Sequence, residues 1–231
     1  MINLIVPNNI AADSSIAGVF YEVNNELKDI LRKADLASKP LMICSGGTST
    51  QCAANDHWTI DLREKYKGIR VLPSENIVEI GGGVIMSNLV KELNKFNKTF
   101  PIGLSGETGV GYILTGGISP LSRSQGLAID QIMEIKGFWG NGKEFHLLRP
   151  NTKKESTFEW KALCGAAIFL GIITKVKLKT QPLRPLLSWT ANLSFSQLSE
   201  CINQAESWPN SLSLQWIWGD NIFAHAIGEV K

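Results

Sequence analysis

The stretch that decides the fold is PIGLSGETGVGYILTGGISPLSRSQGLAID, residues 101–130. It carries Gly103, Gly106, Gly109, Gly111, Gly116 and Gly117 and almost no charge. Glycine lets backbone N–H groups converge on one point and lets a ligand approach the main chain closely. With so few basic residues, such a segment suits a phosphate held by amides and by hydroxyls such as those of Thr108 and Thr115. Two further glycine clusters lie beside strand candidates. Upstream, the apolar run Leu41–Cys44 is too short for a helix and stops at Gly46-Gly47, followed by Thr48, Ser49 and Thr50. Downstream, Gly165–Gly171 precedes an alternation of Thr174, Val176 and Leu178 with three lysines, the pattern of a half-buried strand. One such cluster would be an ordinary tight turn; three in one chain point to a nucleotide-sized ligand. No GxxxxGK followed by Ser or Thr occurs, and no GxGxxG opens a helix after a strand, which excludes the P-loop and Rossmann layouts.

Around these loops the periodicity supplies a mixed frame. Ile16, Phe20, Val23, Leu27, Ile30 and Leu31 recur at helical spacing behind a capping Asp13-Ser14-Ser15, and Pro40 ends that region. Strands are expected at Trp58–Leu62, Ile69–Leu72 and Ile77–Ile80, the last running into Gly81-Gly82-Gly83. Leu89, Val90, Leu93 and Phe96 give an amphipathic helix. Strands at 131–138 and 143–148 flank Gly140-Asn141-Gly142, a hairpin signal. Phe158–Leu163 reads as a short helix. After Pro182 and Pro185 the texture changes: Ser194 and Gln197 form a capping box for a helix at 197–207, and Leu212, Leu214, Trp216 and Trp218 fall on one face of a strand.

Composition narrows the function classes. At 231 residues, 44% hydrophobic and 19% charged, the chain can bury one large core, or one core plus a small second domain. A net charge of +2 with scattered Lys and Arg gives no electrostatic footprint for nucleic acid. No run reaches the roughly 18 apolar residues of a spanning helix, so no membrane partner is expected. The N-terminus lacks a basic, then apolar, leader. Cys44, Cys52, Cys164 and Cys201 lack CxxC spacing, which favours structural thiols in a reducing, cytoplasmic compartment over a disulfide frame or a metal site. His57, His146 and His225 come with no nucleophile elbow and read as solvated or packed side chains.

Residues 101–130, together with PLMICSGGTS (40–49) and WKALCGAAIFLGIIT (160–174), resemble in order and spacing the FAD-binding domain of the p-cresol methylhydroxylase and vanillyl-alcohol oxidase superfamily. The berberine-bridge-enzyme-like branch is the most similar. The resemblance runs from about residue 5 to 182. It implies an α+β fold in which two α/β subdomains clasp an extended FAD over residues 1–182, followed by an incomplete α/β substrate or cap domain over 183–231. It implies that Ser45, Gly46, Gly47, Thr48, Ser49 and Thr50 wrap the pyrophosphate. Glu107, Thr108, Gly109, Tyr112, Thr115, Gly116, Gly117 and Ile118 would line the flavin, and the Ile173 backbone would meet the adenine or ribose end. Arg123 is open between a phosphate contact and a surface arginine.

Departures from the family pattern carry information. The histidine that tethers the flavin in many members is replaced by Thr48, and the cysteine of the second tether by Ser105, so the FAD is expected to be non-covalent. An untethered flavin is less oxidising, which leaves both dehydrogenase and oxidase open. The implied activity is oxidation of a small organic alcohol-type substrate, with no catalytic base to name. Ala166, Ala167 and Phe169 stand where glycines and an asparagine are usual, and their added bulk supports an alternative: a flavin-free member acting as a binding module. Only about 50 residues follow the boundary at 182, so a homo-oligomer or a second chain completing the site is a further expectation.

Overall fold

The computed structural model describes residues 18–20, 24–49, 52–54, 56–152 and 154–230. The first unit is a parallel sheet in the order β1-β3-β2, from β1 (Gly18–Phe20), β2 (Leu41–Cys44) and β3 (Trp58–Asp61). Helix α1 (Asn24–Leu36) presents Leu27, Ile30, Leu31 and Ala34 at helical spacing, and the first three pack on Ile60 and Leu62. The helix expected to run from residue 16 is thus corrected: Gly18–Phe20 pairs with Trp58–Ile60 as a strand, and sheet pairing overrides the helical spacing. Its expected cap at 13–15 lies outside the described residues.

The second unit is an antiparallel five-stranded sheet in the order β4-β5-β9-β7-β8. Its members are β4 (Ile69–Leu72), β5 (Ile77–Gly81), β7 (Ile132–Trp139), β8 (Glu144–Leu148) and β9 (Gly171–Lys179); β6 (Lys98–Thr99) pairs with β10 (Gln181–Pro182) beside it. One face carries Val78, Ile80, Ile135, Val176 and Leu178, all at most 1% exposed. Helices α2 (Met86–Asn94), α3 (Val110–Leu114) and, after the short α4 (Ser122–Gln125), α5 (Phe158–Leu170) follow in sequence order, and α2, α3 and α5 cover that face with Met86, Leu89, Leu93, Ile113 and Leu163. Fully burying each such side chain contributes about 1.5–3 kcal/mol. The opposite face is divided. Phe138 and Ile172 join the core of the first unit, while the other end holds a ladder of charge. There Glu134 accepts from Lys136 (2.9 Å), Lys177 (3.2 Å) and His146 (2.9 Å), and Lys177 also reaches Glu79 at 3.4 Å. Of the alternating lysines, Lys177 is therefore paired and half-buried, while Lys175 and Lys179 are exposed.

Gly140–Gly142 forms the β7–β8 hairpin, with Gly142 at φ 78° and its amide bonded to the Trp139 carbonyl at 2.8 Å. The short helix expected at 158–163 continues to Leu170, broken at Cys164-Gly165, where Gly165 takes φ 115°. Most of the third glycine cluster is therefore the second half of α5, since only Gly165 and Gly171 are glycines and the five residues between are apolar. Thr157 caps the N-terminus, its Oγ1 accepting from the Trp160 amide at 3.2 Å.

Beyond Pro182 a separate antiparallel sheet forms in the order β11-β13-β12, from β11 (Leu186–Leu193), β12 (Leu212–Ile217) and β13 (Ile222–Glu229). Helix α6 (Phe195–Gln204) begins at the expected Ser194–Gln197 capping box, two residues earlier than the periodicity indicates, and a 3-10 turn (Ala205–Ser207) completes it. Leu212, Leu214 and Trp216 share a face, but Trp216 is 37% and Trp218 61% exposed. Both tryptophans are thus at the surface, whereas Leu198 is the buried residue of α6. Among the described residues no helix is long and apolar enough to cross a membrane.

Candidate functional site at the meeting of the glycine loops

The two units are stitched together where their glycine loops meet. Ser45, at the end of β2, donates from Oγ to the Gly82 carbonyl at 2.6 Å and accepts from the Gly111 amide at 3.4 Å. A Cβ on Gly46 would stand 2.8 Å from the Gly109 Cα, and one on Gly109 would stand 2.6 Å from the Gly46 Cα and 2.8 Å from the Ser45 Oγ. Backbone meets backbone here, so no side chain larger than hydrogen fits on either residue. Gly82 donates to the Thr174 carbonyl at 3.1 Å, and a Cβ on it would run into the Ile173 carbonyl. Residues 45–46, 82, 109–111 and 173–174 thus form one junction. Gly47, at φ 74°, turns the first loop away from it and exposes Thr48 and Ser49. Thr50 lies outside the described residues.

The central loop is braced from behind. Met86 and Ser87, at the start of α2, donate to the Thr108 and Gly106 carbonyls at 2.9 and 2.8 Å. The Tyr112 hydroxyl donates to the Ile118 carbonyl, and burial pushes the phenol pKa up, so it keeps its proton. Thr115 Oγ1 bonds back to the Gly111 carbonyl at 3.0 Å, and Thr108 Oγ1 to that of Ser105 at 3.5 Å. Ser105 Oγ accepts from the Glu107 amide at 3.1 Å. In front of the brace, Ile118 is 68% and Leu104 56% exposed, while Glu107 and Thr115 are exposed beside them. An exposed apolar side chain such as Ile118, its carbonyl held by the Tyr112 hydroxyl, can pack against a flat heteroaromatic ring.

Gly116 (φ 128°) and Gly165 (φ 115°) have no heavy atom within 4 Å of where a Cβ would stand. Both conformations favour glycine, and both leave the main chain open to approach, which is compatible with a bound FAD. Gly117 differs, since its Cβ would collide with Ala128. Ile173 is 4% exposed: its side chain is in the core, its carbonyl abuts Gly82, and only its main chain remains for the role expected of it. The bulk read at 166–169 is distributed differently from the expectation. Ala167 is fully buried in the main core, Ala166 is half-buried and Phe169 is 82% exposed, so none of them fills the junction of the loops.

Arg123 is exposed, as a surface arginine would be, but its charge is engaged. Its guanidinium donates to the carbonyls of Leu212 (2.9 Å), Trp208 (3.1 Å) and Ala205 (3.3 Å). Ser213 Oγ donates to the Pro120 carbonyl and Gln125 Nε2 to Glu229 at 2.8 Å. The last sheet is thereby fastened to residues 120–125, directly after the central loop. His225 Nε2 lies 2.9 Å from Ser188 Oγ across β11 and β13. Among the described residues no cluster of three His, Cys, Asp or Glu could hold a metal. Sequence reasoning missed the part Gly82 plays in the junction. The triple glycine at 81–83 was the available signal for it.

Two α/β units joined through glycine-to-glycine contacts, with a third sheet fastened beside them, are the frame of the p-cresol methylhydroxylase and vanillyl-alcohol oxidase type of flavin fold. The sequence matches the FAD binding domain family over residues 17–148, more than half of its length, and the chain belongs to that family, whose cofactor is FAD. It is 30% identical over 148 residues to the FAD-linked oxidoreductase janO of Penicillium janthinellum, which covers 63% of this chain and 32% of that protein. The fold is similar to that of the Bermuda grass isoallergen BG60, with a TM-score of 0.84 at 15% identity over 99% of this chain and 50% of the other. A variant of berberine bridge enzyme-like protein 1 from Physcomitrella patens gives a TM-score of 0.80 at 18% identity over 94% of this chain and 50% of the other. The chain therefore spans about a third of the first protein and half of the other two.

Proposed function

We propose that the loop junction holds FAD non-covalently and that the protein oxidises a small organic, alcohol-type substrate. The observation that carries this reading is the backbone contact of Gly46 with Gly109, which ties the first loop to the central one. In this arrangement residues 45–50 hold the pyrophosphate through main-chain amides and the Thr48, Ser49 and Thr50 hydroxyls. Residues 107–109, 112 and 115–118 line the flavin, with Ile118 against the ring and Tyr112 holding the Ile118 carbonyl in place. The Ile173 main chain sits toward the adenine or ribose end. Bound FAD supplies the acceptor for two electrons and a proton. Thr48 and Ser105 stand at the tether positions, and a hydroxyl cannot make either bond, so the cofactor exchanges.

Residues 183–231 serve as part of the domain that covers the flavin. Ser213 points at Pro120, and the register puts Gln215, His225 and Ser188 on the same sheet face as Ser213. That face would orient substrate. The test is titration of the purified, flavin-stripped chain with FAD, followed by flavin fluorescence. Quenching that saturates at one FAD per chain supports the reading, and absence of quenching with a folded protein rejects it.

A further inference from the structure

One face of the third sheet carries a polar rung that the fastening bonds leave free. Ser188, Ile227 and Ser213 lie level across β11, β13 and β12, and the next rung on the same face is Thr190, His225 and Gln215. Arg123 bonds the Leu212 carbonyl and Ser213 bonds the Pro120 carbonyl, so β12 advances as the central segment steps back toward its glycines. Continued by one rung, that course brings His225 and Gln215 to the level of Ile118, the side chain proposed to meet the flavin. Two groups on this rung lack partners. Gln215 Oε1 is buried with no hydrogen bond among the described residues, a state that penalises the fold until a donor arrives. His225 Nε2 lies 2.9 Å from Ser188 Oγ, and the ring forms no other hydrogen bond among the described residues. A neutral imidazole that donates from Nε2 keeps its lone pair on Nδ1. One step further along, Phe223 and Ile217 form an exposed apolar rung.

We infer, on the flavin reading of the loop junction, that His225 is the catalytic base and that the substrate carries two neighbouring hydroxyls on an apolar body. One hydroxyl gives its proton to Nδ1 of His225. Its carbon gives up a hydrogen with both C–H electrons, as hydride, to the bound flavin. A C–O double bond forms as those O–H and C–H bonds break. The alcohol thus loses one proton and one hydride, and the imidazole passes its proton on to water. Ser188 is a positioning residue: its Oγ accepts from Nε2 and so fixes the tautomer. Gln215 Oε1 accepts from the second hydroxyl, and the Phe223 and Ile217 rung meets the apolar body.

The experiment uses the FAD-loaded chain with 1-phenylethane-1,2-diol as the probe. In protein labelled with 15N-histidine, the diol is expected to shift the Nδ1 resonance of His225 and to leave those of His57 and His146 in place. His57→Gln and His146→Gln variants supply the assignment. Anaerobic mixing with the diol is expected to bleach the flavin. His225→Gln should slow the bleaching on the order of 100- to 10,000-fold with FAD affinity unchanged. Ser188→Ala should move the Nε2 resonance and slow the bleaching less, with the diol bound as tightly as before. Gln215→Leu should raise the dissociation constant of the diol roughly 2- to 10-fold and leave that of 2-phenylethanol, which lacks the second hydroxyl, unchanged. An Nδ1 resonance that the diol leaves in place, or a folded His225→Gln protein that bleaches at the wild-type rate, overturns the proposal. So does FAD-loaded protein that the diol does not bleach, a result that leaves the cofactor reading standing. A chain that takes up no FAD overturns that reading and the proposal together. The resonance is read on the unmutated residue, so a His225→Gln protein that failed to fold would not remove the test.

Discussion

Replacing Gly46 by alanine puts one methyl where two main chains already touch. That methyl would stand 2.8 Å from the Gly109 Cα and closer still to its amide nitrogen, whereas ordinary contact begins at 3.4 Å. The contact with the Gly109 nitrogen, 2.4 Å, must open by about 1 Å to become ordinary, and both obstructing atoms are main chain, so no side chain can rotate away. Forced overpacking of this kind costs about 1–3 kcal/mol. If the strain falls on the loop geometry that FAD requires, the dissociation constant rises roughly 5- to 150-fold. Gly109→Ala strains the same contact from the other side. Its effect should be similar, and the double variant should lose much less than the product of the two, since one separation relieves both. Gly68→Ala is the control, with nothing within 4 Å of its Cβ and no positive φ. Fluorescence titration with FAD, alongside thermal melts, measures all four. A folded Gly46→Ala protein with wild-type FAD affinity would refute the reasoning and make the contact a fold feature only.

Three other expectations follow from separate parts of the structure. Acid precipitation should leave the flavin in the supernatant, because Thr48 and Ser105 offer no histidine or cysteine tether; a yellow pellet would contradict this. Glu134→Gln should destabilise the protein by about 1 kcal/mol at neutral pH. Burial alone would raise the Glu134 carboxyl, but the hydrogen bonds from Lys136 and Lys177 outweigh it and hold it below its ordinary value. A lowered folded-state pKa contributes stability above the unfolded value of about 4.3 and loses it as pH falls further, so the difference between variant and wild type in urea melts should vanish in that acid range. A difference that persists at low pH would show another cause. Arg123→Ala removes three hydrogen bonds to carbonyls at 205–212. Amide exchange should quicken across 205–217 and stay slow in β5; uniform protection would mean that this sheet is held by other contacts.

The elements that the sequence made legible are those whose signal is local. Leu41–Cys44 and Ile69–Leu72 match the strands residue for residue, because each is a short apolar or alternating run between breakers. The Ser194–Gln197 box marked α6 for the same reason. β13 stayed unread: Ala224, Ala226 and Gly228 have weak strand preference, and they sit in the middle of a sheet only because Leu187, Trp189, Leu212, Leu214 and Trp216 on its neighbours need small partners. Gly18–Phe20 misled because parallel pairing with β3 is a long-range effect. In the site, glycine clusters announced that the loops exist, but the junction itself depends on partners far apart in the chain. The Ser45 to Gly82 hydrogen bond spans 37 residues and the Ser45 to Gly111 one spans 66. The run at 166–170 was read as a loop because glycines bracket it, whereas its apolar residues continue α5 once Gly165 has absorbed the break.

The central claim is that these loops together form a FAD site, and the visible absorption spectrum of the chain after incubation with FAD and removal of the free cofactor tests it most directly. The account predicts a yellow protein with the two flavin bands in stoichiometric amount, lost on acid denaturation. A folded, colourless protein that releases no heat when FAD is titrated into it would contradict that claim.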